Sequence, residues 1–452
     1  MDKDDHTSNN PDRFSNMVDD KKVGVIGIWH LGAVYSACMA ELGYQVIGID
    51  DDIDRVNNLN LGIPPVFEPG LKELITSNIE RRRLTYTTDL KTIENCSYVM
   101  ITFDTPVNEN DDVDLSSIID SCRKMSTNLK NGTMIIISSQ VPVGTCDYIK
   151  SIIKQVNPAI EFDIAYCPEN LRLGKAIDYF MKPDRIVIGA DNIASLDRVE
   201  EFLSVITAPK LRMDLRSAEM TKHALNAFLA TSISFANEIA NLCDEVGADA
   251  VSVSNALKSD SRIGPGVPLH PGLAFSGGTL ARDLKILAKL GKDNNYDTSL
   301  INGILEVNRR QNSLVIKKLR KIFGKLSGLT VGILGLTYKA GTSTLRRSAS
   351  LEIIEELTAN QITVKAYDPK ANPEEVRLHK NFEFLPDPYT VAKGSDALVI
   401  LTDWTEFVNL DFDLIKAIMK KPVIIDGKNL LNSQMLIQKG FIYSGVGRGK
   451  TS

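Results

Sequence analysis

The sequence has few of the residues that build disulfide frameworks and zinc sites. Its 452 residues include six cysteines and five histidines, with no CxxC pair and no metal-ligand spacing. No apolar run approaches the roughly 18 residues that span a bilayer, and the first 20 residues are acidic and polar, unlike a secretory signal. We therefore expect no disulfide, no metal site, no membrane partner and a cytoplasmic location.

The sequence also has no excess of positive charge. Asp and Glu number 57 against 52 Lys and Arg, which gives a net charge of −5, and no basic block stands out. Nucleic-acid binding relies on clustered positive charge, so the composition argues against a nucleic-acid partner. What remains is a globular composition, 43% hydrophobic and 24% charged, in a chain long enough for about two to three domains.

Short runs rich in Val and Ile, separated by helical patterns, predict an α/β fold. The runs are VGVIGI, QVIGID, YVMITF, TMIIISS, FDIAYC and DRIVIGA, and later LTVGILGL, ITVKAYDP, ALVILTD and VIIDGK. Such runs are typical of parallel strands buried on both faces. The stretch between the two sets has helical patterns, with more apolar faces than one copy can bury, and this favours a homodimer.

These patterns predict two Rossmann-like parallel-sheet domains joined by a central helical dimerisation region. The predicted ranges are a disordered acidic tail over 1–20, a cofactor domain over 21–210, the central region over 211–322, and a second α/β domain over 323–452.

The segment VGVIGIWHLGAVYSACMAELGYQVIGID has the order strand, tight turn, helix, strand of a dinucleotide-binding unit. Gly27 would make the turn and Gly32 would let the helix lie against the strand, with the helix N-terminus facing a pyrophosphate. Asp50 would accept from the adenosine ribose, which favours NAD over NADP. Trp29, however, stands where the second glycine is expected, so the indole must point away or the loop must shift. The alternative is a βαβ unit that holds no dinucleotide, and we interpret His30 as a loop residue.

Further segments resemble the UDP-glucose/GDP-mannose dehydrogenase family. They are PPVFEPGL (64–71), SSQVPVGT (138–145), PENLRLGKA (168–176), AEMTKHALNAFLATSISFANEIANL (218–242), SRIGPG (261–266), GLTYKAGTSTLRRS (335–348), YDPKA, LTDWTEF and VIIDGKN. The resemblance covers nearly the whole chain after the tail, with the segments in family order. It implies an NAD domain, a central dimerisation region and a C-terminal domain that closes over a nucleotide-sugar, with UDP favoured over GDP. It also implies a place in polysaccharide biosynthesis.

The family's usual reaction is a four-electron oxidation of the sugar C6 alcohol to a carboxylate with two NAD, through a cysteine thioester. Carried over by position, the resemblance implies that Lys222 stabilises an oxyanion, that Asn226 helps hold it or the attacking water, and that Asp283 orders a water. Glu169 matches the first glutamate of the family's PEFLxEG motif. The remaining implied residues are Thr105 with Gly27, Trp29, Gly32 and Asp50 for the cofactor, and Arg262, Gly277, Lys339 and Lys428 for the substrate. In the family an arginine at the position of Arg262 reaches the partner's substrate site.

Other family residues are replaced. The motif GFGGSCFPKD corresponds to AFSGGTLARD (274–283), so Thr279 stands at the nucleophilic cysteine, and its hydroxyl is a poor substitute for a thiolate. Gln140, Leu173, Ser343 with Thr344, and Lys428 also depart from the family pattern. We expect an NAD-dependent oxidoreductase of a nucleotide-linked sugar that stops at two electrons or oxidises the aldehyde hydrate. The alternatives are a redox-neutral epimerase with retained NAD, a non-catalytic binding protein, or a thiol supplied by Cys167.

Overall fold

The structure is a computed structural model that describes residues 21–105, 113–276, 278–345 and 347–449. The tail predicted over residues 1–20 and the predicted substrate residue Gly277 lie outside these ranges. Among the described residues, no helix is both long and apolar enough to cross a membrane. The chain divides into two compact units, Met1–His223 and Ala224–Ser452.

The first unit is built on an eight-stranded sheet with the order β3-β2-β1-β4-β5-β6-β7-β8. Its strands are β1 (Lys22–Ile26), β2 (Gln45–Ile49), β3 (Leu84–Thr87), β4 (Tyr98–Ile101), β5 (Thr133–Ile137), β6 (Phe162–Tyr166), β7 (Ile186–Ala190) and β8 (Lys210–Met213). Its helices are α1 (His30–Glu41), α2 (Ile53–Asn60), α3 (Leu71–Glu80), α4 (Ser116–Met125), α5 (Thr145–Val156), α6 (Ala176–Met181) and α7 (Ile193–Phe202). Short 3-10 turns cover Leu90–Asn95 and Leu203–Val205.

Both faces of this sheet are covered, which explains why its strands are apolar runs rather than alternating patterns. In β4, Tyr98 and Met100 join one hydrophobic cluster, whereas Val99 and Ile101 join another. Successive side chains of a strand point to opposite faces. The two clusters therefore form the two layers of core, one on each side of the sheet.

Strand β7 departs from the predicted parallel arrangement, because it pairs antiparallel to β6 through Ala165 with Ala190 and Tyr166 with Gly189. To form a parallel neighbour, the chain must return to the opposite end of the strand before it pairs, whereas an antiparallel neighbour can start at the end where the first strand stops. The connection between β6 and β7, residues 167–185, therefore starts and ends at the carboxyl end of β6. Glu169 lies at the start of this connection.

The second unit is built on a six-stranded parallel sheet with the order β11-β10-β9-β12-β13-β14. Its strands are β9 (Thr330–Leu334), β10 (Thr363–Tyr367), β11 (Glu383–Phe384), β12 (Ala397–Ile400), β13 (Val423–Asp426) and β14 (Ile442–Gly445). The helices that accompany it are α13 (Ala349–Ala359), α14 (Pro373–Arg377), α15 (Pro388–Ala392), α16 (Phe412–Ile418) and α17 (Ser433–Gln438), with a 3-10 turn at Thr405–Asn409.

Helices occupy the sequence between the two sheets. They are α8 (Leu215–Val246), α9 (Ala250–Ser259), α10 (Thr279–Asp293), α11 (Ser299–Asn312) and α12 (Leu314–Phe323). Helix α8 contains the boundary between the two units. The predicted fold class, two parallel-dominated sheets with a helical region between them in the sequence, is confirmed.

Candidate functional site

The turn after β1 has the geometry that the glycine pattern predicts. Gly27 has a φ of +86°, and helix α1 begins three residues later at His30. A Cβ on Gly32 would lie 2.1 Å from the carbonyl oxygen of Gly27 and 2.6 Å from Oγ1 of Thr102. Only glycine fits there, so the helix lies directly against the turn as a dinucleotide-binding unit requires.

Asp50 follows β2 and faces this turn. One of its oxygens accepts a hydrogen bond from the amide of Ile28 at 3.0 Å, and the other accepts from the amide of Asp52 at 3.1 Å and from Nη1 of Arg55 at 2.7 Å. A carboxylate offers about four acceptor positions, so Asp50 retains capacity for a ligand hydroxyl. Arg55, which the sequence analysis missed, also pairs with Asp52 at 3.0 Å, so two acids balance its charge.

A cavity of about 400 Å³ opens beside these residues. The described residues that line it include Gly27, Trp29, Asp50 and Arg55, together with Ile26, Ile49, Asp51, Leu90, Phe103, Asp104, Ser117, Asp120, Ser121 and Lys124. Thr105 is not among them; its hydroxyl donates to the carbonyl of Gln140 at 2.9 Å, so it links the ends of β4 and β5.

Trp29 and Asp104 both line this cavity, close to the start of α1. Trp29 is the N-cap residue of α1 and makes no side-chain capping bond; its side chain is half exposed. Asp104, which the sequence analysis also missed, accepts a hydrogen bond from the amide of Leu31 at 3.4 Å. An anion is stabilised at a helix N-terminus, so the carboxylate of Asp104 lies beside the helix end that is expected to face a pyrophosphate.

Two of the predicted catalytic residues, Lys222 and Glu169, lie in the first unit and are in direct contact. Nζ of Lys222 lies 2.9 Å from Oε1 of Glu169 and donates to the backbone carbonyl of Glu169 at 2.6 Å. The lysine side chain is 8% exposed, so two acceptors from one residue hold an ammonium group that water reaches poorly. An ammonium fixed in this way can stabilise negative charge on a reacting oxygen.

Two of the three predicted catalytic residues of the second unit, Asn226 and Asp283, are in contact. Nδ2 of Asn226 donates to Oδ2 of Asp283, and both side chains are buried. Thr279 is the first residue of α10 and is exposed. Because Asp283 is four residues further along the same helix, both residues lie on one helical face. Lys222 and Asn226 are likewise four residues apart on α8.

The six cysteines are all buried and unpaired. Burial raises the pKa of Cys167, the alternative nucleophile, to about 12. The thiolate is the nucleophilic form of cysteine, so the environment of Cys167 disfavours covalent catalysis. Among the described residues, no group of His, Cys, Asp and Glu is arranged to hold a metal ion.

Three stretches of the chain match models of one protein family. Residues 21–206 match the NAD binding domain of the UDP-glucose/GDP-mannose dehydrogenase family, residues 216–310 its central domain, and residues 332–433 its UDP binding domain. The UDP-glucose 6-dehydrogenase TuaD of Bacillus subtilis is 36% identical over 431 residues, which cover 95% of this chain and 93% of that protein. The chain belongs to the UDP-glucose/GDP-mannose dehydrogenase family.

Solved structures agree with membership of this family. A UDP-glucose dehydrogenase from Pyrobaculum islandicum superposes with a TM-score of 0.85 at 28% identity, over 94% of this chain and 98% of that chain. An NDP-N-acetyl-D-galactosaminuronic acid dehydrogenase from Methanosarcina mazei superposes with a TM-score of 0.84 at 25% identity, over 96% and 97%.

The cofactor of this family member is NAD, and the first turn fits it. A Cβ at Gly27 would lie 2.8 Å from the ring of Phe103, and a Cβ at Gly32 would strike the turn itself. Neither position has room for a side chain, so glycine at both allows the turn and the N-terminus of α1 to lie close together. Asp50 and Arg55 would hold the adenosine end, and the amides that begin α1 would face the pyrophosphate.

The residues that family membership suggests for the substrate stay predictions. Arg262 is highly exposed and makes a bidentate ion pair with Asp260 at 2.7 and 3.0 Å. Lys339 is exposed, with its Nζ 5.6 Å from the ring centroid of Tyr338. Burial lowers the pKa of Lys428, while Asp403 and Asp426 oppose that shift.

Proposed function

We propose that the protein is an NAD-dependent dehydrogenase that oxidises C6 of a UDP-linked hexose or N-acetylhexosamine. The observation that carries this proposal is the ammonium group of Lys222, held by the carboxylate and carbonyl of Glu169 in a poorly hydrated position. The match to a UDP binding domain and the names of the relatives support UDP as the nucleotide.

The side chains suit the removal of two electrons from an alcohol. NAD, when bound, supplies the electron acceptor. Lys222 would stabilise the oxygen of the alcohol as negative charge develops on it, since a fixed charge in a poorly hydrated site is worth far more than one in water. Asp283, which accepts from Asn226, would order a water and take up a proton.

The second oxidation depends on the nucleophile. A thioester needs a thiolate, and all six cysteines are buried, with the pKa of Cys96 raised to about 11 and that of Cys122 to about 12 by burial. Thr279 is exposed at the start of α10, but a hydroxyl is a weak nucleophile and a poor leaving group. We therefore propose that the reaction stops at the aldehyde, or continues slowly through the aldehyde hydrate.

A panel of nucleotide sugars tests the activity. UDP-glucose, UDP-N-acetylglucosamine, UDP-N-acetylgalactosamine, UDP-N-acetylmannosamine and GDP-mannose are each incubated with the protein and NAD, and NADH and product mass are recorded. We expect one NADH per sugar in a fast phase and an aldehyde product with a UDP-sugar. Two rapid equivalents and a uronic acid would refute the two-electron assignment. Failure to bind NAD would favour a non-catalytic role, and an isomeric product without net NADH would indicate an epimerase.

Thr279→Cys tests the role of the threonine directly. A thiol at this position should add to the aldehyde and leave a sugar adduct on the enzyme, because cysteine is a far better nucleophile than threonine. Intact-mass analysis should detect the adduct on this variant and not on the parent protein. Thr279→Ser is the matched control, since it retains a hydroxyl and should form no adduct. An adduct on the parent protein would contradict the proposal.

We also propose that the protein forms a homodimer through α8. Phe228, Phe235, Leu242 and Val246 of this helix are about half or more exposed, and their spacing of seven, seven and four residues places them on one helical face. An apolar stripe of this kind marks an interaction surface. Sedimentation should give a dimer for the parent protein and a monomer for a Phe228→Glu, Phe235→Glu double variant; a parent monomer with full activity would refute it.

We also propose that the protein is located in the cytoplasm. Its six cysteines are unpaired, which is typical of proteins from a reducing compartment. Labelled protein expressed in its source cells should fractionate with cytoplasmic enzymes, and recovery with membranes would contradict this assignment.

A further inference from the structure

The segment PPVFEPGL contains a buried charge that the proposed chemistry does not use. Glu68 precedes α3, and its side chain is 1% exposed. A carboxylate removed from water in this way is costly unless several donors satisfy it. Its partners therefore indicate what holds it there.

Three donors from two separate segments converge on Glu68. The amide of Gly174 donates to Oε2 at 2.9 Å and that of Ala176 donates to Oε1 at 2.8 Å. Nε2 of His30 lies 3.2 Å from Oε2; since a carboxylate can only accept, the imidazole donates from this nitrogen. Hydrogen bonds to an ionised group are stronger than neutral ones.

The proposed reaction requires these two segments to keep a fixed position relative to each other. His30 is the first residue of α1, not the loop residue that the sequence suggested, and it directly follows Trp29, so it is attached to the turn that would receive the cofactor. Gly174 and Ala176 belong to the segment that starts at Glu169. Glu169 itself accepts from the amide of Leu171 at 2.8 Å and contacts Lys222. Glu68 is thus a carboxylate that contacts both segments.

We propose that Glu68 and His30 are positioning residues that transmit the position of the cofactor turn to the segment carrying Glu169. This inference rests on the proposed function, because it takes NAD to bind at the turn. When NAD fixes the turn, His30 is fixed with it, and the donation to Glu68 holds the amides of Gly174 and Ala176. Glu169, and through it Lys222, would then be held in place.

If Glu68 had a purely structural role, it would not need the contact with His30. The two amides alone would suffice to satisfy Glu68 and cap the short helix α6, and the contact with His30 would then add nothing to the site. The informative variant is therefore His30→Leu, which removes the donor from the turn and leaves both amides with their acceptor. His30→Gln is the conservative variant, because its amide nitrogen can also donate.

Hydrogen–deuterium exchange of residues 171–176, measured with and without NAD, tests the coupling, with NAD binding measured separately by calorimetry. In the parent protein we expect NAD to slow exchange of these amides at least about threefold, since opening of the segment becomes rarer when it is anchored. In His30→Leu, at an NAD concentration that calorimetry shows to be saturating for that variant, the slowing should vanish. In His30→Gln it should return.

Two further variants separate coupling from general damage. Glu68→Gln removes the charge and leaves one acceptor oxygen, so exchange of the same amides should be fast even without NAD. Asp396→Asn is the matched control, because Asp396 is also a buried carboxylate that accepts from a backbone amide, that of Thr330 at 2.9 Å, and faces a cation, Lys420 at 3.7 Å. It should retain the NAD-dependent slowing.

The outcomes are distinguishable. If the parent protein binds NAD and the slowing is absent, or is equally large in His30→Leu, the inference is wrong and the proposed function stands. If calorimetry detects no NAD binding to the parent protein, the proposed function fails and the inference fails with it.

Discussion

The first strand-and-turn unit of each sheet has the same backbone arrangement, but only the first of the two leaves an acceptor available to a ligand. Gly27 ends the turn after β1 with a φ of +86°, and Gly335 does so after β9 with a φ of +101°. The amide of each donates to the last residue of the neighbouring strand, Ile49 at 3.0 Å and Tyr367 at 2.8 Å. In each unit an aspartate follows that neighbouring strand, Asp50 in the first and Asp368 in the second.

The two aspartates differ in what remains available to a ligand. Asp368 accepts from the amides of Leu336, Thr337, Lys370 and Ala371, from Oγ1 of Thr337 and from Nε1 of Trp404, all within 3.1 Å. It is nearly inaccessible to solvent, whereas Asp50 lines a cavity. A carboxylate saturated by its own chain cannot recognise a ribose.

The helix that follows the turn also differs. In the first unit α1 begins three residues after Gly27, whereas in the second unit α13 begins only at Ala349, long after Gly335. In the described part of the chain after Gly335, the next helix N-terminus is that of α13, fourteen residues on, so it does not adjoin the turn as α1 does. A shared strand-and-turn arrangement does not by itself make a cofactor site; the helix and the free acceptor decide it.

Among the variants that test this difference between the two turns, Gly32→Ala is expected to have the largest effect on NAD binding. The new Cβ would lie 2.1 Å from the carbonyl oxygen of Gly27, so α1 must move away from the turn. A contact this close to backbone belongs at the upper end of the roughly 1–3 kcal/mol that overpacking costs, so we expect NAD affinity to fall by about 100-fold in calorimetry. Gly303→Ala is the control, because a Cβ there meets nothing within 4 Å and should leave NAD affinity unchanged. Unaltered NAD binding by Gly32→Ala would show that the cofactor binds elsewhere.

Paired substitution of the two aspartates gives the next largest effect. Asp50→Ala should weaken NAD binding by about 1–3 kcal/mol, the value of a hydrogen bond to a charged group. Asp368→Ala should lower the temperature of thermal unfolding, because it leaves several buried donors unsatisfied, and should leave NAD affinity within about twofold. Calorimetry and thermal scanning measure the two effects. Weaker NAD binding in the Asp368 variant would mean that the second turn takes part.

The smallest effect is expected from Asp104→Asn. This variant removes a negative charge from the N-terminus of α1, where it would compete with the pyrophosphate. Such a charge is worth about 0.3–1 kcal/mol, so NAD should bind about two- to fivefold more tightly, as measured by quenching of Trp29 fluorescence in a Trp404→Phe background. Asp120→Asn serves as control, since Asp120 lines the same cavity from helix α4, where it forms an ion pair with Arg123 at 3.2 Å. Weaker binding in the Asp104 variant would indicate instead that Asp104 accepts from a ribose.

Much of the fold could be predicted from sequence because the central strands are apolar runs covered on both sides. Strands β3 (LTYT), β8 (KLRM), β11 (EF) and β14 (IYSG) were not predicted. Each lies at an edge of its sheet, where one neighbour and partial exposure allow short polar sequences. The antiparallel direction of β7 was also missed, since an apolar run does not reveal which way a strand points.

The candidate site was predictable only in part. Gly27, Gly32 and Asp50 follow from local spacing, whereas Glu169, Lys222, Asn226 and Asp283 were found through the family resemblance. Arg55 could have been found, because it lies five residues after Asp50 at the start of a helical pattern. Asp104 carries no such signal: its contact with Leu31 spans 73 positions of the chain and depends on how β4 lies beside β1. Glu68 had a signal, the PPVFEPGL segment, but its partners depend on tertiary structure.

The antiparallel pairing of β7 has a consequence for how this fold can diversify. Residues 167–185 leave and re-enter the sheet at the carboxyl end of β6, and β6 and β7 share only two residue pairs. Glu169, Gly174 and Ala176 are fixed by their contacts, but the part of this stretch that follows Ala176 can change in length without shifting the register of the parallel strands. Insertions are tolerated where few backbone pairings cross them. The length of this part of the chain can therefore diverge while the cofactor half of the sheet stays as it is.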